Sequence, residues 1–245
     1  MGRTNWFHLS NVLPLASGEV PLTLPDRLKL LELGRRIKRN AYNADIISAE
    51  SAYSLSLIDD AHRGKLVLSS NGSDDELAYL QDRRSQPREN IATVVGTYGY
   101  KALEDSYRVF EMLRQANEGL SLVIIGNDEY VPKQLRRRAE IVLKGVLRRR
   151  DVLKTLSTSR YYISTTRIEN SSNAASEGVV FAQESFVSDI APHRELLAGT
   201  PFRLVKIPGV ARPLLHVVGA DMSAANLRSW QEVISDMISR VPTPG

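Results

Sequence analysis

Two glutamates, Glu169 and Glu177, stand in the stretch Arg160-Tyr-Tyr-Ile-Ser-Thr-Thr-Arg-Ile-Glu169-Asn-Ser-Ser-Asn-Ala-Ala-Ser-Glu177-Gly, separated by mostly small residues. Their spacing is too wide for neighbours on one helical face, where side chains three and four positions apart meet. Small intervening residues let backbone come close to a ligand. The segment predicts a strand, a loop carrying Glu169, and a helix that starts near Ser171 or Ser172 and contains Glu177. Carboxylates presented in this way can each hold vicinal hydroxyls, and the unbonded N–H groups of a helix start suit phosphate or sugar oxygens. Spacing alone favours a solvated loop and a solvated helix face, so the surrounding elements must decide.

The preceding residues repeat a rhythm of strand and helix. Asn90-Ile-Ala-Thr-Val-Val-Gly96 is a β-branched run ending in glycine, and Leu103, Tyr107, Phe110 and Leu113 then fall at helical spacing between Ala102 and Ala116. Leu120 to Gly126 and Ala139 to Gly145 read as buried strands, Asp151 to Ser159 as a helix, Arg160 to Thr165 as a strand, and Ser185 to Ser188 as another. Alternation of this kind means βαβ units and a parallel sheet covered on both faces.

Taken in order, these landmarks resemble the group 1 family of retaining, nucleotide-sugar-dependent glycosyltransferases with the two-domain GT-B architecture. The matching features run from Ala44-Asp-Ile-Ile-Ser48 and Glu50-Ser51 through Lys65-Leu-Val-Leu-Ser-Ser-Asn71-Gly72 and the Gly96 to Lys101 loop. They continue with the strand ends at Gly126 and Gly145, the Glu169 and Glu177 pair, and Ser188-Asp189-Ile190 followed by Glu195. The resemblance implies an α/β fold of GT-B type. Residues 1–73 would be a partial Rossmann-like acceptor domain with the interdomain strand, residues 74–213 the donor-binding domain with a parallel sheet, and residues 214–245 a helix returning to brace the N-terminal part.

It also implies roles for individual positions. Glu169 matches the glutamate that holds the donor sugar's hydroxyls, and Glu177 the one that holds the nucleotide ribose. Gly96 and Thr97 fall in the donor loop, and Asn170, Ser171, Ser172 and Asn173 in the turn whose amides meet the sugar or diphosphate. Lys101 matches the lysine that neutralises the leaving diphosphate, and His8 an acceptor-side histidine. Catalysis would then rest on Glu169, Lys101 and His8. Breaking a sugar–phosphate bond places negative charge on the departing diphosphate, which a fixed cation and aligned amides stabilise. No cofactor is implied, since the nucleotide-sugar is a substrate. No metal is expected either: the chain has four His and no Cys, and no Asp-x-Asp site follows a strand.

The chain departs from the family pattern in three places. Thr97 stands where members carry an arginine, Ala102 where they carry a glycine after the lysine, and Asn170-Ser171-Ser172 where they carry Gly-Phe-Gly. A lost charge-assisted phosphate contact would cost roughly 1.5 to 3 kcal/mol. The region before Asp74 is also short for a whole acceptor domain, so a fragment or a partner chain supplying the remainder is expected.

Composition, with 42% apolar and 24% charged residues, is that of a globular protein. The absence of Cys fits a reducing compartment, and without a long apolar run or a signal-peptide core the reading is cytoplasmic, with a peripheral position at the inner face of the membrane as one option. Net charge is +4, with basic clusters at Arg35-Arg36, Lys38-Arg39, Arg136 to Arg138 and Arg148 to Arg150. Solvated faces and helix ends account for these clusters; anionic lipid headgroups are the functional alternative. No nucleic-acid partner is expected, because aromatics do not interleave with the basic residues. The expected partners are a nucleotide-sugar donor and a glycan or lipid-linked acceptor in surface polysaccharide or lipopolysaccharide assembly. A second copy or partner chain could meet the apolar face formed by Leu227, Trp230, Val233, Ile234, Met237 and Ile238 in a helix capped at Ser223. The rival reading is a degenerate, non-catalytic relative that binds or scaffolds.

Overall fold

The computed structural model describes residues 5–58, 65–73, 79, 87–219 and 228–239. Two compact units divide the chain: Met1–Asp74 with Ile168–Ser171 and Arg228–Gly245, and Asp75–Arg167 with Ser172–Leu227.

In the first unit, strands β1 (Trp6–Leu9), β2 (Ile46–Ala49) and β3 (Leu66–Leu68) form a parallel sheet in the order β1-β2-β3. Phe7 is level with Ile47, and Ile47 with Leu66. Helix α1 (Leu24–Tyr42) connects the first two strands. Its start is set by Thr23, whose hydroxyl accepts from the Asp26 amide at 3.3 Å, and by Pro25 in the first turn. Helix α2 (Ala52–Ser56) is capped in the same way by Ser51, which accepts from the Ser54 amide at 3.1 Å.

The helix Trp230–Ser239 also belongs to this unit. Ser229 and Glu232 cap it reciprocally: the Glu232 amide donates to Ser229 Oγ at 3.1 Å, and the Ser229 amide to Glu232 Oε2 at 2.7 Å. It is tied to the β3 end by the Ser73 amide bonding Arg228 O at 2.9 Å and by Ser69 Oγ at 3.1 Å from Met237 Sδ. Val233 is buried, while Trp230, Ile234 and Ile238 are exposed along one side. The expected cap at Ser223 and the position of Leu227 lie outside the described residues.

The second unit contains β4 (Glu89–Val95), α3 (Leu103–Gln115), β5 (Ser121–Ile125), α4 (Lys133–Arg136), β6 (Ile141–Leu143), α5 (Arg149–Thr158) and β7 (Ser159–Ser164). It continues with α6 (Asn173–Phe181), β8 (Glu184–Ser188), α7 (Ala191–Leu196), β9 (Arg203–Val205) and β10 (Leu214–Val218). The strand order is β6-β5-β4-β7-β8-β10-β9. Strands β6 through β8 are parallel. Alternation along β5 explains why both faces are covered. Leu122 and Ile124 pack with Leu103, Phe110 and Leu113 of α3, whereas Val123 and Ile125 pack with Leu153 and Leu156 of α5 and Val179 of α6.

One feature differs from the sequence expectation. Residues 214–218, placed with the C-terminal helix, form β10, which runs antiparallel to both β8 and β9. Its fully buried Leu214 and Leu215 point into the cores on opposite faces of the sheet.

Candidate functional site

Strand order locates the site. From β4 the chain moves outward through β5 to β6, then returns to the other side of β4 with β7 and β8. The direction of winding therefore reverses between β4 and β7. Loops leaving adjacent parallel strands diverge at such a point, and the crevice outside their carboxyl ends is where open α/β sheets bind ligands. Here the two loops, within the second unit, are Gly96 to Ala102 and the Thr165 to Arg167 segment after β7.

Hydrogen bonds stitch these loops together within the second unit. The Arg167 amide donates to Tyr100 O at 2.8 Å, and Thr165 Oγ1 donates to Ala102 O at 2.9 Å. Ser106 Oγ lies 2.7 Å from Thr165 Oγ1. These bonds bring the Lys101 backbone beside the chain that leads into α6. Gly96 has φ +94°, and a Cβ added there would lie 3.0 Å from Lys101 Cε. Bare glycine backbone thus accommodates the lysine chain, whose Nζ stands 5.5 Å from the Tyr100 ring centroid. Thr97 is buried, with its hydroxyl donating to Asn127 O at 2.9 Å. It serves the adjoining loop and supplies no cation.

The predicted helix after Glu169 begins at Asn173, with Ser172 as its N-terminal cap residue. Ser172 has φ 55°, a left-handed conformation unusual for a residue with a Cβ. Its side chain makes no capping bond to the helix amides, and its Oγ is buried with no hydrogen-bond partner among the described residues. Ala102, which caps α3, is likewise left-handed at φ 49°. Two of the three glycine replacements noted in the sequence, Ala102 and Ser172, therefore keep a glycine-like backbone, one at each helix start beside the crevice, whereas Asn170 does not have a positive φ.

Glu177 is 7% exposed, one turn inside α6. Burial pushes its carboxyl above the ordinary value, and the Arg149 guanidinium, 2.9 Å away, acts in the opposite direction. Arg149 opens α5. The sequence treats the Arg148 to Arg150 cluster as a solvated face; for Arg149 that is corrected by its ion pair with a buried carboxylate. A second cation missed by sequence is Arg167, whose Nε is buried without a hydrogen-bond partner among the described residues.

Other predicted residues gather in the first unit. His8 Nδ1 is 2.8 Å from Ser48 Oγ, which also accepts from Trp6 Nε1 at 2.7 Å. Ser48 is fully buried, and His8 Nε2, on the other side of the ring, is 3.8 Å from Glu50 Oε1. Asn170 donates to Glu50 Oε2 at 2.7 Å and accepts from Ser54 Oγ at 2.5 Å. Its side chain thus fixes Glu50 beside His8. Glu169 and Ser171, both half-buried, belong to the same unit. So Gly96, Thr97, Lys101, Ser172, Asn173 and Glu177 fall in the second unit, and His8, Glu169, Asn170 and Ser171 in the first.

No protein-family model and no curated protein matches the chain. Solved structures do match. HepE of Anabaena, in complex with UDP and glucose, superposes with TM-score 0.56 at 13% identity over 79% of this chain and 55% of its own. A variant of S. aureus TarM in complex with fondaparinux, alpha-GlcNAc-glycerol and UDP gives 0.54 at 13% over 86% and 44%. An alpha,alpha-trehalose-phosphate synthase (UDP-forming) from Burkholderia vietnamiensis gives 0.52 at 14% over 79% and 61%. The fold is GT-B.

As a GT-B chain it spans less than two thirds of each of these relatives, from 44% to 61% of their lengths. The GT-B likeness agrees with a mainly parallel sheet in each unit. No helix among the described residues is long and apolar enough to cross a membrane.

Proposed function

We propose that this chain is the donor-binding part of a nucleotide-sugar-dependent glycosyltransferase. The observation that carries the reading is Glu177. It is a carboxylate buried one turn inside a helix, and that helix starts at the sheet's switch point in a GT-B fold. In the proposed complex Glu177 accepts from the ribose hydroxyls, held in place by Arg149. The α6 start and Ser172 Oγ face the diphosphate, and Lys101 and Arg167 supply its counter-charge, Arg167 in place of the arginine absent at position 97. Amides and cations aimed at the departing diphosphate favour the transition state over the ground state. No metal is needed for that step.

The finer parts of the reading follow the same chemistry. Glu169 would hold the sugar hydroxyls while an acceptor hydroxyl attacks from the side of the leaving group, with retention at the anomeric carbon. His8, oriented by Ser48 and Glu50, would receive the acceptor, a glycan or lipid-linked sugar of surface polysaccharide assembly. A partner chain or second copy would cover the exposed Trp230, Ile234 and Ile238 side of the last described helix. The buried, side-chain-committed Thr97 favours a second reading, a GT-B protein that binds nucleotide without turning it over.

Calorimetric titration of the chain with nucleoside diphosphates and nucleotide-sugars, with and without EDTA, tests donor binding. Binding should be selective for one base, insensitive to chelator, and weakened roughly ten- to a hundredfold by Glu177→Gln, the range set by loss of a charged hydrogen bond. Absence of binding to every member of the panel would contradict the proposal. Binding without transfer to any acceptor would favour the second reading.

A further inference from the structure

The loop joining β9 to β10, residues 206–213, lines a cavity of about 490 Å³ that the proposed donor site does not use. Both strands lie in the second unit, and the loop is fixed there by its backbone. The Ala211 amide donates to Asp105 Oδ2 at 3.3 Å, in the first turn of α3, and the Asp189 amide donates to Pro213 O at 2.9 Å, at the end of β8. Between these anchors the Val210 amide closes a turn on Ile207 O at 3.1 Å. Gly209 sits in that turn at φ +77°, where an added Cβ would lie 3.3 Å from Arg108 Cδ. A loop held in this way gives a wall formed before any ligand arrives, which lowers the ordering cost of binding.

Two kinds of group make up the wall. Ile207, Pro208, Val210, Ala211 and Pro213 are apolar, Lys206 and Arg212 are cationic, and no acid lines the cavity among the described residues. The acids at the two anchor points are each paired, Asp105 with Arg108 at 2.5 Å and Asp189 with Arg194 at 2.5 Å. Backbone donors are scarce: Pro208 and Pro213 have no N–H, and Val210 and Ala211 spend theirs in the bonds above. A charged ligand is therefore met by the two side-chain cations.

We propose that this cavity binds a phosphate monoester of a small organic molecule. Such a group carries close to two negative charges at neutral pH and several strong acceptor oxygens, which match one planar guanidinium fork and one ammonium. The apolar wall selects an ester over inorganic phosphate, and the volume falls in the range of about 300 to 1,000 Å³ common for small-molecule pockets. The inference does not rest on the donor reading, because neither the Gly96 to Lys101 loop nor Glu177 contributes to the wall.

Calorimetric titration of the full chain with phenyl phosphate, inorganic phosphate and phenol tests it. Phenyl phosphate should bind more tightly than inorganic phosphate, and phenol should not bind. The double variant Lys206→Gln, Arg212→Gln should weaken phenyl phosphate roughly ten- to a hundredfold, the range for a lost charged hydrogen bond. Its titrations with nucleoside diphosphates should match those of the parent, which separates this cavity from the crevice. Lys206→Gln alone, at an exposed position, should weaken phenyl phosphate about threefold with an unchanged circular dichroism spectrum, and it decides the matter should the double variant lose its fold. Three outcomes would overturn the proposal: no binding of phenyl phosphate, equal binding of phenyl and inorganic phosphate, or parental affinity for phenyl phosphate in a folded double variant. The last would assign the anion to another site.

Discussion

Ala102 and Ser172 carry the left-handed backbone at the two helix starts beside the β4–β7 crevice, at φ 49° and 55°. A side chain in that region costs roughly 1 to 2 kcal/mol, part of which glycine returns as unfolded-state entropy. Ala102→Gly is therefore expected to stabilise the chain by about 1 kcal/mol in chemical denaturation; a loss of stability would show that the conformation is not strained. Glu177 and Arg149 give a pH signature. Because burial raises the Glu177 pKa in the fold, its ionised form costs stability above the raised value, and that cost fades as pH falls toward the ordinary glutamate value of about 4.3. Arg149→Met removes the opposing charge and should destabilise by about 1 kcal/mol at neutral pH, a figure discounted because Arg149 is half exposed. The loss should shrink toward about pH 4; a loss of equal size at every pH would mean that packing, not charge, is what Arg149 supplies. Sequence spacing picked out Glu177 but not its partner. Arg149 reads as one of three consecutive arginines, and only the packing of α5 against α6 brings it to the carboxylate.

Elements with strong periodicity were legible: β5 from its run of buried aliphatic residues, α3 from Leu103, Tyr107, Phe110 and Leu113, and the start of α6 within a residue or two. Strands β9 and β10 were not, because three- and five-residue segments around a loop with Gly209 carry no period long enough to separate strand from coil. The packing of α6 rests on Gly178. A Cβ there would come within 2.2 Å of the Tyr162 ring, which is itself 1% exposed. At an exposed helix position glycine to alanine gains up to about 1 kcal/mol. Gly178→Ala should instead cost about 3 kcal/mol, since neither the helix nor the ring can give way without disturbing β7. A neutral or stabilising result would mean that α6 does not press on β7 as described.

At the scale of the molecule, alternating strands and helices make the α/β class readable, and the order of landmarks along the chain points to GT-B. Less legible is the partition into units, because residues 168–171 are grouped with strands far away in sequence. That grouping depends on contacts such as Asn170 to Glu50 and Ser54, which no local pattern encodes. Glu169 and Glu177, read as one motif, consequently belong to different units. The central claim is that the crevice between β4 and β7 receives a nucleoside diphosphate. Hydrogen exchange of the full chain, with and without the nucleoside diphosphate that binds it best, tests this most directly. Slowed exchange concentrated at amides 96–102 and 172–178 is the predicted result. Protection confined to other segments, or none at ligand saturation, would contradict the account.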